Sequence, residues 1–182
     1  MTTQIALLRA VNLPGHNKIS MSALCELVTE LGFENARTLL QSGNLIFESK
    51  KGTGVQLERT LEAAAKKQLG LEIDFIVRSA KEWKTVIAGN PFLAEARRDP
   101  GHLVALCLKA PTDSKHINAL QQAITGREQV RGKGRDLYVY YPDGIGRSRL
   151  TNAVFEKRLG VCGTGRNWNT VLKLGALTEV EG

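Results

Sequence analysis

The sequence predicts an α+β protein made of two ferredoxin-like β-α-β-β-α-β halves packed in one chain, the second half irregular at its end. Three observations predict it. Short apolar runs and longer runs at helical spacing follow in the order strand, helix, strand, strand, helix, strand over residues 1–78. The same order begins again at residue 102 and continues through the second half, 102–182, which closes on a C-terminal helix. Between the halves, residues 79–101 read as a connecting helix and a linker, the charged, turn-rich LAEARRDPG from Leu93 to Gly101.

Each element has a local reason. Ile5, Leu7 and Arg9 alternate with Ala6 and Leu8, a mostly buried first strand. After the loop VNLPGHNKI, Ser20 is placed to cap a helix whose apolar face is Met21, Leu24, Val28 and Leu31, with Gly32 at its C-terminal stop. ARTLLQ and NLIFES meet across Ser42-Gly43, a tight hairpin in which Gly43 is free to take positive φ. Thr53 and Gln56 form a capping box ahead of Leu57, Leu61, Ala65 and Leu69, and IDFIVRS is the fourth strand. Ser79 and Glu82 form a second box, and Asn90-Pro91 ends that helix. In the second half HLVALCLK is a strand, and Ile117, Leu120 and Ile124 mark a helix. EQVRGK and RDLYVYY form a hairpin joined near Gly132–Gly134, and Leu150 and Val154 mark the next helix, starting near Ser148 or Arg149. The last strand is expected at Val161–Thr164, glycine-broken and at an edge, and the closing helix from about Asn167 to Leu177.

The bulk numbers narrow the function classes. A chain of 182 residues buries about 70% of its extended surface without a disulfide or metal staple. Hydrophobic content of 42% and charged content of 24% are those of an ordinary soluble domain, and no run approaches the roughly 18 apolar residues of a membrane span. MTTQIALLRA lacks a basic leader and runs straight into a strand pattern, so no signal peptide is expected. Cys25, Cys107 and Cys162 are odd in number and far apart, and His16, His102 and His116 are equally scattered. Neither set has metal-ligand spacing, so the expectation is a cytoplasmic protein with no metal and no cofactor. The formal charge of +7 is uneven: residues 1–91 carry 11 basic and 9 acidic side chains, residues 92–182 carry 14 and 9. Ten of those basic residues lie between Arg127 and Lys173, a balance that favours polyanionic partners such as a nucleotide or nucleic acid.

Three polar segments are candidates for binding chemistry. In TGRNWNTVLKL, Arg166, Asn169, Thr170 and Lys173 fall at i, i+3, i+4 and i+7, one face of a helix. Asn167 suits the N-cap and Trp168 the core side, and a helix start with free N–H groups suits an anion. In YPDGIGRSRL a strand runs through glycines into a helix, with Gly146, Arg147, Ser148 and Arg149 as donors for a phosphate, although neither a Walker A nor a GxGxxG pattern is present. The third is the loop after strand one, where Asn12, Asn17 and Lys18 follow Arg9, with the turn Gln41-Ser42-Gly43-Asn44 beside it. A β-turn explains Ser42 and Gly43 but not why both flanks are carboxamides. Tyr138 and Tyr140 share a sheet face in the manner of a base-stacking platform, without the RNP1 pattern, and packing explains them better. No nucleophile elbow or paired carboxylate is present, and Cys162 is the one thiol near the basic cluster.

ALLRAVNLPGHNKISM, LLQSGNLIF, NPF, GIGRSRL and TGRNWNTVLKL, in this order over nearly the whole chain, resemble the bacterial domain of unknown function 1697 family. The family's first motif reads closer to LLRGINVGG, and this chain has Ala10, Leu13 and Pro14 instead. The resemblance implies a duplicated ferredoxin-like fold and no established activity.

The resulting expectation is one cleft between the halves for an anionic ligand: a nucleotide, a phosphorylated metabolite or a nucleic-acid backbone. Arg9, Asn12, Lys18, Gln41, Ser42, Gly43 and Asn44 would supply one side. Gly146, Arg147, Ser148, Arg166, Asn167, Asn169, Thr170 and Lys173 would supply the other. Two alternatives stand beside it: an enzyme on a phosphorylated small molecule with Cys162 involved, and a self-associating module, which leaves a homo-oligomer open.

Overall fold

The computed structural model of the chain describes residues 1–13, 15, 18–52 and 54–179. It divides into two units, Met1–Lys84 with Leu174–Gly182, and Thr85–Lys173. Two helices carry the chain across that division: α3 (Ala80–Ala88) and α7 (Trp168–Glu179). The architecture is mixed α+β, with a four-stranded and a three-stranded sheet among the described residues.

In the first unit the order is β1 (Thr2–Leu8), α1 (Met21–Glu30), β2 (Glu34–Leu39), β3 (Asn44–Ser49), α2 (Gly54–Ala64) and β4 (Phe75–Ser79). The sheet order is β2-β3-β1-β4 with every neighbouring pair antiparallel. Alternate residues Ala6, Leu8, Leu45, Phe47, Phe75 and Val77 turn one face onto Leu24, Leu27 and Val28 of α1 and Leu57 and Leu61 of α2. Ile5, Leu7, Ile46 and Ile76 on the other face are also buried, which is why QIALL reads as a continuous apolar run rather than a clean alternation.

The local signals explain the ends. Ser20 Oγ accepts from Ala23 N–H at 3.1 Å, and Gly32 stands left-handed at φ 80° just past α1. Ser79 and Glu82 close a reciprocal box: Ser79 N–H donates to Glu82 Oε2 at 2.7 Å, and Glu82 N–H to Ser79 Oγ at 3.2 Å. The box expected at Thr53 and Gln56 involves Thr53, which lies outside the described residues. α2 widens into a π turn over Ala65–Leu69 and stops at Gly70, φ 65°.

The second unit is built on β5 (Leu103–Thr112), flanked by β6 (Gln129–Tyr140) and β7 (Gly163–Asn167), both antiparallel to it. α4 (Leu93–Arg98), α5 (Ser114–Ala123) and α6 (Asn152–Leu159) complete it. Leu106, Leu137, Val139 and Tyr141 meet Ile117 and Leu120 of α5 and Phe155 and Leu159 of α6 in its core.

Three expectations change here, and the hairpin near Gly132–Gly134 is found as a fold-back within one element. Residues 93–101 are not a bare linker: α4 occupies most of them, after Phe92, which is buried with the Arg131 guanidinium 4.9 Å over its ring. The expected hairpin of EQVRGK and RDLYVYY is one element of extended backbone, Gln129–Tyr140, that folds back within itself. A Cβ on Gly132 would lie 2.8 Å from Leu137 Cα, whereas a straight strand holds positions five apart at about 16 Å. The helix expected from Ser148 starts only at Asn152. Before it come a 3₁₀ turn at Ile145–Arg147 and an extended Ser148, ψ 142°, whose Oγ accepts from Leu150 N–H at 3.0 Å. The last strand is Gly163–Asn167 rather than Val161–Thr164, which moves Arg166 from the polar face of the closing helix into the sheet.

Candidate functional site

A cavity of about 260 Å³ lies wholly within the second unit, between α5, α6 and the loops 124–128 and 141–150. Its floor is apolar: Leu120, Ile124, Tyr141, Leu150 and Val154. Polar and charged side chains make up about half of its lining. Glu128 and Ser148, both half-buried, line it, and the exposed Arg147, Arg149 and Arg158 stand at its rim.

Each group is placed by a local device. Gln121 of α5 clamps the approach to β6: its Oε1 accepts from Val130 N–H at 2.6 Å and its Nε2 donates to Glu128 O at 3.3 Å. That fixes the backbone of Glu128, whose Oε1 accepts from Ser148 Oγ. Gly126 allows the approach, since a Cβ there would lie 3.0 Å from Glu128 Cδ. Tyr141, the first residue after β6, donates through its hydroxyl to Leu150 O at 3.4 Å. Burial pushes the Tyr141 hydroxyl up, so it stays a neutral donor. At the mouth Arg127 Nε donates to Asp143 Oδ2 at 3.0 Å, and this bond holds the Asp143 carboxyl below its usual range. Asp143 is thereby satisfied by an arginine that does not line the cavity. Arg149 and Arg158 have no ion pair among the described residues. Arg158 also sits in the last turn of α6, where a cation suits the helix dipole.

Of the expected site residues, Arg147 and Ser148 line this cavity, and Gly146 is an exposed member of the adjoining 3₁₀ turn. Arg166 is buried in β7. Its Nη1 donates to Thr164 Oγ1 at 2.8 Å and to Gly165 O at 2.9 Å, and burial pulls its pKa down to about 10. Asn167 Oδ1 accepts from Asn169 N–H at 2.9 Å while its Nδ2 donates to Gly101 O at 3.0 Å, a helix-start role. Trp168 is buried and meets the Tyr138 ring edge-on at 6.3 Å. Asn169 and Lys173 are exposed on α7 and Thr170 is half-buried. Tyr138 and Tyr140 are both buried, so they offer no stacking platform.

In the first unit, Arg9 pairs with Asp74 at 3.3 Å. Asn12, at φ 55°, ties its own loop: its Nδ2 donates to Ile19 O at 3.1 Å and Gln41 O at 3.0 Å, and its Oδ1 accepts from Ile19 N–H at 3.0 Å. Lys18 joins Asn12 and Gln41 around a shallow hollow. Asn44 is wholly buried, donating to Leu39 O and Ser42 Oγ, each at 2.9 Å. Gly43 O accepts from Leu8 N–H at 2.8 Å. His16 and Asn17 lie outside the described residues.

The family described as protein of unknown function (DUF1697) matches residues 1–138. The chain belongs to it. The match takes in Leu120 and Glu128 of the cavity as well as the whole first-unit loop and turn. The DUF1697 chain is also similar in structure to the conserved bacterial protein SP0830 from Streptococcus pneumoniae, at 22% identity and a TM-score of 0.77, over 97% of this chain and 98% of that one. At that identity the likeness concerns the fold. No curated protein matches the DUF1697 chain.

Glu128 and Arg158 were absent from the expected site. Val154 and Arg158 lie i, i+4 on one helix face, a spacing visible in the sequence, but nothing in it brings Glu128 across to Ser148. Among the described residues no group of three His, Cys, Asp or Glu could hold a metal ion, and no helix is long and apolar enough to cross a membrane. Chemically, the cavity offers cationic donors at its mouth, a carboxylate on its wall and an apolar floor.

Proposed function

We propose that the second unit binds a small anionic metabolite, a phosphate ester above all, in the arginine-rimmed cavity. The observation that carries this reading is the pairing of an apolar floor with Arg147, Arg149 and Arg158, of which Arg149 and Arg158 have no counter-ion among the described residues. Guanidinium groups match phosphate oxygens in a bidentate fork, and a cavity mouth concentrates their field. The site is defined within one unit, so the reading does not need the first-unit polar residues.

The fold reading that accompanies it is two ferredoxin-like halves. The first unit supports it with its β-α-β-β-α-β order and β2-β3-β1-β4 sheet. The second supports it with β5 between β6 and β7, an element that folds back at Gly132, and helices α5 and α6 in the corresponding places.

The test is a melting-shift series with sugar phosphates, nucleoside monophosphates and a mixed-sequence oligonucleotide. A ligand at one hundred times its Kd stabilises by about 2.7 kcal/mol, a shift of several degrees for a protein of this size. Small phosphate esters are expected to raise Tm in the native protein and to lose that effect in Arg149→Ala/Arg158→Ala. An oligonucleotide shift with none from small esters would reject the cavity as the site.

A further inference from the structure

Resting on that anion reading, we infer that Glu128, which lines the same cavity as the arginines, selects the rest of the ligand, and that the cavity takes a hydroxylated phosphate ester, a sugar or polyol monophosphate. Glu128 is half-buried beside an apolar floor, yet among the described residues its carboxylate accepts one hydrogen bond, from Ser148 Oγ. An ionised carboxylate has about four lone-pair sites. The remaining acceptor sites of this half-buried carboxylate stay open for ligand donors, and an apolar ligand group that displaced their water would leave them unserved. Ser148 is already engaged on both sides, accepting from Leu150 N–H at 3.0 Å and donating to Glu128. It orients the carboxylate rather than competing for the ligand.

The donor is a hydroxyl rather than an ammonium. Three guanidinium groups stand on the rim, and the second acid at the mouth, Asp143, is held by Arg127. A neutral donor enters that field without repulsion. Size narrows the class further. A cavity of about 260 Å³ falls just below the range of about 300–1,000 Å³ usual for small-molecule and cofactor sites. A pentose phosphate suits it; a dinucleotide does not. The apolar floor takes the carbon skeleton.

The test is calorimetric titration of the full chain with ribose 5-phosphate, pentyl phosphate, 5-aminopentyl phosphate and inorganic phosphate. The readout is the ratio of affinities, because removing a negative charge at Glu128 strengthens every anion alike. Native protein is expected to hold ribose 5-phosphate about tenfold or more tighter than pentyl phosphate, since an analogue that lacks the hydroxyls leaves the carboxylate unserved. In Glu128→Leu that ratio should collapse towards one. Gly126→Ala, whose new methyl crowds the Glu128 carboxylate at the far end of a flexible side chain, should reduce it by a second route that leaves Glu128 in place. Equal binding of ribose and pentyl phosphates by the native protein, a preference for the amine, or a ratio unmoved in both variants would overturn the inference while leaving the anion site standing. No binding of any phosphate compound would instead remove the anion reading, and the inference with it.

Discussion

Two polar, glycine-bearing turns invite comparison: Gln41–Asn44 between β2 and β3, and Tyr141–Leu150 after β6. The first consumes its own chemistry. Asn44 Nδ2 serves Leu39 O and Ser42 Oγ, Gln41 O accepts from Asn12, and Gly43 O accepts from Leu8 N–H. The second satisfies only part of itself, through Ser148, Glu128 and the Arg127–Asp143 pair, and turns Arg147 and Arg149 onto a cavity. The difference teaches that polar composition in a turn does not mark a site. What marks one is the remainder after the turn's own hydrogen bonds have been counted.

The largest effect that could break this contrast is at Gly43. Its φ of 76° favours glycine, and a Cβ would stand 2.7 Å from Val11 Cγ2 and 2.8 Å from Leu8 Cβ. Left-handed strain and overpacking together predict that Gly43→Ala costs about 2–4 kcal/mol in denaturant unfolding. Gly146→Ala, with nothing within 4 Å of its Cβ, should fall within about 0.5 kcal/mol of the native protein. Equal costs at the two glycines would erase the distinction between the turns.

Next comes Asn44→Ala, which leaves the Leu39 carbonyl without its buried donor and should cost about 1–3 kcal/mol with anion binding unchanged. A lost ligand shift in that variant would mean the turn belongs to the site after all. The smallest effect runs the other way. Ala10 stands at φ 53°, a conformation that costs an L-residue about 1–2 kcal/mol, while glycine's extra chain entropy returns roughly 0.5–1 kcal/mol of that. Ala10→Gly should therefore stabilise by about 0.5–1 kcal/mol, read as a small rise in the denaturant midpoint.

How much of this was legible in the sequence follows from how local each signal is. Ser20, the Ser79–Glu82 box, Gly43 and the buried Trp168 were readable because cap, turn and helix-face rules need only neighbours. β7 was displaced by a misread glycine role. Gly163 and Gly165 looked like strand breakers, but a Cβ at Gly163 would lie 2.8 Å from Cys107 O, and one at Gly165 would lie 2.8 Å from Val104 Cγ1. They permit the close approach of β5 that makes the strand, and Arg166 follows them into the sheet. The order of strands and helices was largely legible, whereas the cavity was not. Its wall at Glu128 and its rim at Arg147, Arg149 and Arg158 meet only through packing of α5 and α6, which no spacing encodes.

The measurement that tests the central claim most directly is calorimetric titration of ribose 5-phosphate into native protein and into Arg149→Ala/Arg158→Ala, at low and at moderate salt. Because both arginine side chains are exposed, their loss should leave stability within about 0.5 kcal/mol while weakening the phosphate ester by tenfold or more, with a shallower salt dependence in the variant. Undiminished affinity in the folded double variant would contradict the account.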